Sequence, residues 1–410
     1  MASPLSFDLI VIGGGAAGFF GAINAAQQNP SLKILILEKS PKLLSKVKVS
    51  GGGRCNVTHH CFEPTPLSKH YPRGQKELKN IFRSFDAKST VAWFAELGVH
   101  LKTEDDGRMF PVTNDSQTII DCFLAEAHKH RIRIEVSCGV ERVERIENEF
   151  LVYTVHQTFQ SKKVLIATGG HPQKSSYALI EKLGHAITPL IPSLFTFNDT
   201  EKKFTDLMGV SVGDAEVKIA GTKLSERGPV LITQWGLSGP AVIKLSAWAA
   251  GYLHEKNYTF VALVNWTGTV SEDELRALFQ KHKVEHGKQK IIGNPFFGLS
   301  QRLWEKLVLL AEIRDTKIWA EISAKEMNRL IEFLIRCPFK IKGKTTFKEE
   351  FVTCGGVPLS EIDLTTMQSK RVPGLYFAGE VLNVDGETGG FNFQAAWSTA
   401  YLAAQSIANA

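Results

Sequence analysis

The apolar and polar positions of the chain predict alternating strands and helices from its first residues onward. Phe7–Ile12 is a short apolar run, typical of a buried strand, and a helix of small residues follows it. Further apolar runs at Lys33–Leu37 and Ile132–Val136 predict a second and a third strand. Strands separated in this way by helical segments predict a parallel sheet with helices on its faces.

Between residues 117 and 166, the spacing of the apolar residues differs from one predicted element to the next. Gln117–His130 has the apolar spacing of an amphipathic helix. Val140–Ile146 and Phe150–Val155 alternate and predict an antiparallel pair, and Lys163–Ile166 predicts a buried strand that ends in Ala-Thr-Gly. Capping-box spacing, which marks the start of a helix, occurs at three places: Asn114 with Gln117, Ser271 with Glu274, and Ser323 with Glu326.

Three glycines directly after the first strand stand at the spacing of a dinucleotide-binding fingerprint. Gly13 permits the tight turn, Gly15 lets a pyrophosphate approach the backbone, and Gly18 lets helix and strand pack closely. The N–H groups at the start of the helix then face the diphosphate. Glu38, at the end of the second strand, is placed to accept hydrogen bonds from a ribose diol, which predicts the ADP part of FAD or NAD.

A second glycine cluster, Gly51–Gly53, lies between Ser50 and Arg54-Cys55-Asn56. Three consecutive glycines disfavour both a helix interior and a strand, so this segment is either a flexible surface loop or backbone that lies against a ligand. Arg54 and Asn56 can make directed hydrogen bonds, and they favour the interpretation as a cofactor-lining loop.

A late strand ends in Gly379-Glu380 and is followed by a glycine-rich turn and a small-residue helix that begins near Asn392. Glu380 can accept hydrogen bonds from a ribityl chain. The helix start would face flavin N1 and O2, where negative charge develops on reduction. The alternative is an ordinary glycine turn before a terminal helix. Together with the first fingerprint, this segment favours FAD over NAD as the bound cofactor.

Composition restricts the class of protein. The chain has 410 residues with 43% hydrophobic and 22% charged residues, which predicts an ordinary globular protein with a sizeable core. Six cysteines without a C-x-x-C pair predict reduced thiols in a cytoplasmic protein, no metal site and no redox dithiol. The sequence predicts no signal peptide, and the glycines and Asn24 argue against a membrane span at Leu9–Ala26.

Charge and composition also suggest where domains meet. The proline-rich segment near 189–192 marks a shift, and residues 191–345 contain 22 Lys and Arg against 17 Asp and Glu. A mildly basic segment either faces an anionic partner such as nucleic acid or is a solvated surface. We expect a first part of a cofactor domain at 1–190, an inserted domain at 191–345 with helices at about 271–337, and the second cofactor part at 346–410.

Four stretches together resemble the bacterial BaiN/RdsA-like NAD(P)/FAD-dependent oxidoreductases. They are Gly13–Gly18, Ser50–Thr58, Thr233–Pro240 and Val372–Trp397. The resemblance spans nearly the whole chain. It implies an α/β, Rossmann-like FAD-binding domain of the three-layer, glutathione-reductase-like type, with an inserted β-barrel plus helical domain. Two residues depart from the family pattern: Cys354, where a small non-thiol residue is expected, and Asn383, where an acid is usual.

The resemblance, taken with the motifs, implies a set of residues along FAD. The set is Gly13, Gly14, Gly15, Ala16, Ala17, Gly18, Glu38, Lys39, Lys46, Ser50, Gly51, Gly52, Gly53, Arg54, Cys55, Asn56, Val140, Thr168, Gly169, Gly379, Glu380, Gly390, Asn392, Phe393 and Gln394.

We expect an FAD-dependent oxidoreductase in which flavin N5 transfers hydride. Because no second fingerprint occurs, either NAD(P)H docks as a transient reductant or the electron donor is a different molecule. The substrate is a small molecule or, alternatively, an RNA pyrimidine reduced to dihydrouridine. A further alternative is a flavin-binding sensor without turnover. Cys55 is a candidate proton donor, or else a packing thiol. No membrane partner is expected, and the oligomeric state stays open.

Overall fold

The computed structural model describes residues 4–345 and 352–410, and these fall into two compact units. The first unit comprises 4–193 and 352–410, and the second comprises 194–345. The expected start of the second cofactor part, at residue 346, lies outside the described residues.

Eighteen strands are present in the described residues. They are β1 (Leu5–Ile12), β2 (Ile34–Leu37), β3 (Thr58–His59), β4 (Leu101–Thr103), β5 (Arg108–Pro111), β6 (Arg133–Glu135), β7 (Val140–Ile146), β8 (Glu149–Thr154), β9 (Thr158–Ile166), β10 (Thr188–Ser193), β11 (Thr196–Asp199), β12 (Ser211–Ile219), β13 (Ser225–Ile232), β14 (Gly236–Ser238), β15 (Thr259–Asn265), β16 (Cys337–Thr345), β17 (Val352–Gly356) and β18 (Leu375–Phe377).

The same part of the chain contains thirteen α-helices. They are α1 (Ala16–Gln28), α2 (Ser45–Gly53), α3 (Pro64–Ser68), α4 (Gln75–Ile81), α5 (Ala87–Glu96), α6 (Gln117–Lys129), α7 (Ala178–Lys182), α8 (Pro240–Trp248), α9 (Ala250–Glu255), α10 (Glu272–Glu285), α11 (Gln301–Leu310), α12 (Ala324–Ile335) and α13 (Phe391–Asn409). No helix among the described residues is long and apolar enough to cross a membrane.

The first unit is built on a seven-stranded mixed sheet. Its order is β6-β2-β1-β9-β8-β7, and β18 pairs with the second half of β9. Strands β6, β2, β1, β9 and β18 are mutually parallel, whereas β7 and β8 are antiparallel, as their alternating patterns predicted. The α/β Rossmann-like fold expected from the sequence is therefore confirmed.

Helices α1 and α13 pack together although they come from opposite ends of the chain. Phe20 of α1 contacts Trp397 of α13, with ring centroids 5.2 Å apart, and also contacts Phe85 and Trp93. These rings are almost fully buried, so the hydrophobic effect stabilises the pairing of the two helices. The small residues of both helices allow their axes to approach.

The second unit contains a closed six-stranded barrel, in the order β11-β14-β13-β12-β15-β16. Helices α10, α11 and α12 of this unit lie between β15 and β16 along the chain. The apolar stripe of α12 is buried, and it consists of Met327, Leu330, Ile331 and Leu334. A β-barrel with helices was expected for this segment, and it is confirmed.

Two of the three expected capping boxes are present. Those at Ser271–Glu274 and Ser323–Glu326 form with both reciprocal hydrogen bonds. The capping box predicted at Asn114–Gln117 is wrong, because the N-cap of α6 is Ser116 and not Asn114. The Gln117 N–H donates to the Asp115 carboxylate at 2.8 Å, and this local side-chain acceptor replaces the expected cap.

Candidate functional site

The carboxyl ends of the five parallel strands lie side by side in one row of the sheet. Ile12 is in register with Leu37 and with Ile166, Leu37 pairs with Glu135, and Phe377 pairs with Ile166. The segments that follow these strands therefore begin at the same edge. Ligands of open parallel sheets bind at this edge, which makes it the candidate site.

The three fingerprint glycines occupy three different environments. A Cβ on Gly13 would lie 2.3 Å from the Ala167 carbonyl oxygen, and its φ of +118° is one that residues with side chains rarely adopt. A Cβ on Gly18 would lie 2.0 Å from the Gly13 carbonyl oxygen. Around Gly15, by contrast, there is open space to 4 Å. Gly13 and Gly18 thus leave no room for a side chain, whereas the contact of Gly15 with a pyrophosphate stays a prediction.

The open space beside Gly15 lies at the start of α1. Gly15 is the N-cap, and neither a side-chain cap nor an acidic residue occupies the first turn, which begins with Ala16 and Ala17. A helix start of this kind attracts a phosphate through its N–H groups and its dipole. Gly14 is different, since its N–H donates to the Glu38 carboxylate at 2.8 Å.

Glu38 borders a cavity of about 280 Å³ at the ends of β1, β2 and β9. The other oxygen of its carboxylate accepts the Ser40 N–H at 2.8 Å, so the group is held in position by backbone donors. Of the residues predicted to contact the cofactor, the cavity is lined by Gly13, Glu38, Lys39, Val140, Thr168 and Gly169. Sequence reasoning missed other residues that line the cavity, among them Cys138, His171, Ser175 and Tyr177.

The Gly51–Gly53 segment forms a left-handed turn at the end of α2. The backbone is non-helical at Ser50, Gly51 and Gly52, and a Cβ on Gly52 or Gly53 would meet nothing within 4 Å. This geometry fits backbone that lies against a flat ligand. Arg54 supports the turn, because its guanidinium contacts Glu104 at 2.5 Å and lies 4.0 Å from the centre of the Phe110 ring.

Asn56 connects this segment to the C-terminal part of the chain. Its amide, oriented so that both atoms are bonded, donates to the Thr58 carbonyl oxygen and accepts the Gly390 N–H, each at 3.0 Å. A Cβ on Gly390 would lie 2.5 Å from the same carbonyl oxygen. The glycine turn and the start of α13 are therefore adjacent.

Cys55 is fully buried beside Ser50. Burial raises the pKa of its thiol to about 12, although a hydrogen bond with the Ser50 side chain lowers it in part. The thiol is thus neutral near pH 7. This environment is typical of a packing residue, so it favours the alternative to a proton-donating role.

Gly379 and Glu380 follow β18 at the candidate site. The Glu380 carboxylate is mostly buried and lies 2.5 Å from the Lys46 Nζ. A Cβ on Gly379 would approach the Ala17 Cβ at 2.9 Å, so this turn packs on the start of α1. Both ends of the chain consequently contribute to one edge of the sheet.

The start of α13 resembles that of α1, with a glycine N-cap, Gly390, and no acidic residue in its first turn. Among the predicted residues here, three side chains contact protein groups. The Gln394 side-chain amide accepts hydrogen bonds from the Thr58 and Thr90 hydroxyls and donates one to Ser398. The Asn392 side-chain amide bonds to the N–H and the carbonyl oxygen of Gly386. The Phe393 ring stacks on Trp397. These contacts position the helix start.

Two pairs of polar residues near α13 could not be predicted from the sequence. His70 Nδ1 lies 3.1 Å from the Glu387 carboxylate, and Arg73 forms a two-bonded ion pair with the fully buried Asp385. Desolvation raises the pKa of Asp385, and the hydrogen bond from Arg73 opposes that shift. The partners are more than 300 residues apart, so spacing along the chain could not have revealed them.

Cys354, the first departure from the family pattern, lies in β17 and donates its S–H to the Ile191 carbonyl oxygen at 3.2 Å. Burial raises the pKa of this thiol to about 11. Asn383, the second departure, donates its backbone N–H to the Val357 carbonyl oxygen at 2.8 Å. In the described residues, no group of three or more His, Cys, Asp or Glu side chains could hold a metal ion.

Comparison with known proteins gives consistent matches. The family profile described as "HI0933-like protein Rossmann domain" matches residues 7–406. The 3-dehydro-bile acid Δ(4,6)-reductase of Clostridium scindens is 27% identical, over 97% of this chain and 98% of its own. The ribosomal RNA dihydrouridine synthases of Escherichia coli and Haemophilus influenzae are 30% and 31% identical, over 98% and 97% of this chain and 98% of each of theirs.

Among solved structures, the fold is similar to that of a 3-ketosteroid Δ4-(5α)-dehydrogenase from Rhodococcus jostii RHA1. The TM-score is 0.53 and the sequence identity 12%, over 100% of this chain and 98% of the other.

Proposed function

The chain belongs to the HI0933-like protein family, a family of FAD-dependent oxidoreductases, and we propose that it reduces a carbon–carbon double bond conjugated to a carbonyl group. The observation that carries the proposal is the pair of uncapped helix starts, at Gly15 and Gly390, each beside a glycine turn in the same unit. Such starts suit the two polar parts of FAD, its diphosphate and the pyrimidine side of its ring.

FAD would be held by residues from both ends of the chain. Glu38 would bind the adenosine ribose, the start of α1 the diphosphate, and Glu380 the ribityl chain. Bound flavin supplies the hydride chemistry. The protein would orient the cofactor, since the 280 Å³ cavity is bordered by the buried strand ends Ile12 and Leu37.

The substrate class comes from the chemistry that two kinds of relatives share. A 3-dehydro-bile acid Δ(4,6)-reductase acts on an enone, and a dihydrouridine synthase reduces the uracil C5–C6 bond, which is conjugated to a ring carbonyl. Both reactions add hydride to one carbon and a proton to its neighbour. NAD(P)H is the proposed reductant, and it would dock only briefly because the sequence contains one fingerprint.

RNA is the more specific candidate substrate. The two relatives named for ribosomal RNA are 30% and 31% identical, compared with 27% for the bile acid enzyme. The chain carries a net charge of +6, and most of this excess lies in residues 191–345. A positive surface favours association with a phosphate backbone.

The test is a single-turnover experiment with holoenzyme. Enzyme is reduced anaerobically with NADH or NADPH and then mixed with 4-androstene-3,17-dione or with ribosomal RNA transcribed in vitro. We expect the flavin to be reoxidised by one probe, with a product that is heavier by two hydrogen atoms. A flavin that stays reduced with both probes, yet is reoxidised by oxygen, would contradict the proposal and favour the sensor alternative.

A further inference from the structure

The imidazole of His70 lies on the ring that begins α13. Its centroid is 4.2 Å from that of Phe391, and the two planes are only 11° apart. Phe391 directly follows Gly390, which Asn56 of the glycine turn contacts. The proposed function places the flavin ring at this helix start, and 33% of the His70 side chain is exposed there.

Glu387 fixes the orientation of this imidazole. Its carboxylate lies 3.1 Å from His70 Nδ1, and its backbone N–H donates to the His70 carbonyl oxygen at 2.9 Å. The Glu387 side chain is 8% exposed. A buried carboxylate of this kind holds Nδ1 in its protonated form and leaves Nε2 as the nitrogen that can exchange a proton.

Further contacts join the segment that follows His70 to the segment around Glu387. Arg73 and Asp385 form an antiparallel bridge, and their side chains form an ion pair in which the Asp385 carboxylate is fully buried. The Tyr71 hydroxyl donates to the Phe391 carbonyl oxygen at 2.6 Å. His70 therefore lies on a rigid surface, which a group that transfers protons requires.

Two nearby groups are less suitable as proton donors. Cys55 is fully buried. The Nε2 of His59 is 3.1 Å from the Asp106 carbonyl oxygen, and its ring packs against Gly107, where a Cβ would come within 2.4 Å of it. Among the residues that the structure describes, the titratable groups in contact with the His70 ring are Glu387 and His59.

We propose that His70 is the catalytic acid of this site and that Glu387 is its positioning residue. The inference rests on the proposed function. Reduced flavin, the hydride donor, is oxidised as a C–H bond forms at one carbon of the conjugated double bond. The π electron pair moves to the other carbon, which takes a proton from Nε2 of the His70 imidazolium. Neutral imidazole remains, and the exposed side chain regains its proton from solvent.

The experiment compares His70→Gln with His156→Gln, a control at an exposed histidine on the hairpin between β8 and β9. Reduced holoenzyme is mixed with 4-androstene-3,17-dione or with transcribed ribosomal RNA. We expect His70→Gln to slow substrate reduction by about 10²–10⁴-fold. FAD content and reoxidation by oxygen stay unchanged, because neither needs a proton at carbon.

The pH dependence gives a second readout. In the wild type, the rate of substrate reduction falls as pH rises, because imidazolium is lost, and in His70→Gln this alkaline limb is absent. Nitrogen NMR of the neutral protein then shows the His70 proton on Nδ1 in the wild type and a mixture of tautomers in Glu387→Gln.

An unchanged rate and an unchanged alkaline limb in His70→Gln would overturn the inference while the proposed function stood. A wild type that reduces neither probe would contradict the proposed function, and the inference with it. The two failures are distinguished by whether the wild type itself turns over.

Discussion

The Nζ of Lys46 lies 2.5 Å from a carboxylate oxygen of Glu380, although 334 residues separate the two along the chain. Lys46 belongs to α2, just before the glycine turn, and Glu380 follows β18 at the carboxyl edge of the sheet. This ion pair shows that the head and the tail of the polypeptide contribute to one site.

The open space at Gly15 makes it a sensitive position for cofactor binding. We expect Gly15→Val to fold, because nothing lies within 4 Å of the new Cβ, but to retain less than about a tenth of the FAD because the side chain occupies the phosphate space. The ratio of flavin to protein absorbance measures this. Gly251→Ala, at an open position in α9, is the control and should keep the wild-type ratio. Full yellow colour in Gly15→Val would exclude this phosphate site.

Gly18 should affect stability instead. Its Cβ would come within 2.0 Å of a backbone oxygen, which cannot easily move, so Gly18→Ala should lower the free energy of unfolding by about 1–3 kcal/mol or more. Urea denaturation of the FAD-free protein measures the change. Gly21→Ala is a matched variant in the same helix. Its nearest neighbour is a Leu165 methyl group at 2.7 Å, which can shift, so the loss should be smaller. Equal losses would contradict this explanation.

The sequence predicted best where function depends on local spacing. The roles of Gly13, Gly15 and Gly18 follow from strand, turn and helix geometry. The structure has close backbone contacts at Gly13 and Gly18 and open space at Gly15. The apolar strand that ends in Gly379-Glu380 similarly indicated that the tail returns to the cofactor domain, and β18 pairs with β9 of the first sheet.

Side-chain direction and long-range pairing were not predictable in this way. Gln394 was expected along the cofactor, but its amide is bonded to Thr58, Thr90 and Ser398, since a helix position alone does not decide which face meets a ligand. The pairs His70–Glu387 and Arg73–Asp385 depend on how distant segments meet, so neither residue of a pair has a local pattern that reveals the other.

Cys55 provides a third prediction. Because burial raises the pKa of its thiol to about 12, iodoacetamide should leave Cys55 unmodified in the native protein and should react with it after unfolding. Mass spectrometry of peptides measures the modification. Cys55→Ala should keep substrate reduction within about tenfold of the wild type, which is less than a proton donor contributes. Rapid alkylation of the folded protein, or a larger loss of rate, would restore Cys55 as a catalytic candidate.

Stability of the second unit should depend on pH through Glu326. Burial alone would raise its pKa, but hydrogen bonds from Lys317 and Ser323 lower it from 4.5 to about 2. A lowered folded-state pKa means that the stabilisation is present above pH 4.5 and is lost as pH falls toward 2.

Denaturation of the wild type and Glu326→Gln tests this dependence. We expect a difference of about 1–3 kcal/mol in the free energy of unfolding at pH 7, shrinking toward pH 2. Asp315→Asn, at an exposed acid in the same unit, should show little change at any pH. A difference that does not vary with pH would mean that Glu326 acts through packing.

The central claim is that one FAD connects the two ends of the chain, and a crystal structure of the FAD-bound protein tests it most directly. The account predicts a single cofactor, with its adenosine ribose at Glu38, its diphosphate at the start of α1 and its ring system at the start of α13. A cofactor that contacted Glu38 but not the Gly390 turn, or that bound elsewhere, would contradict the account.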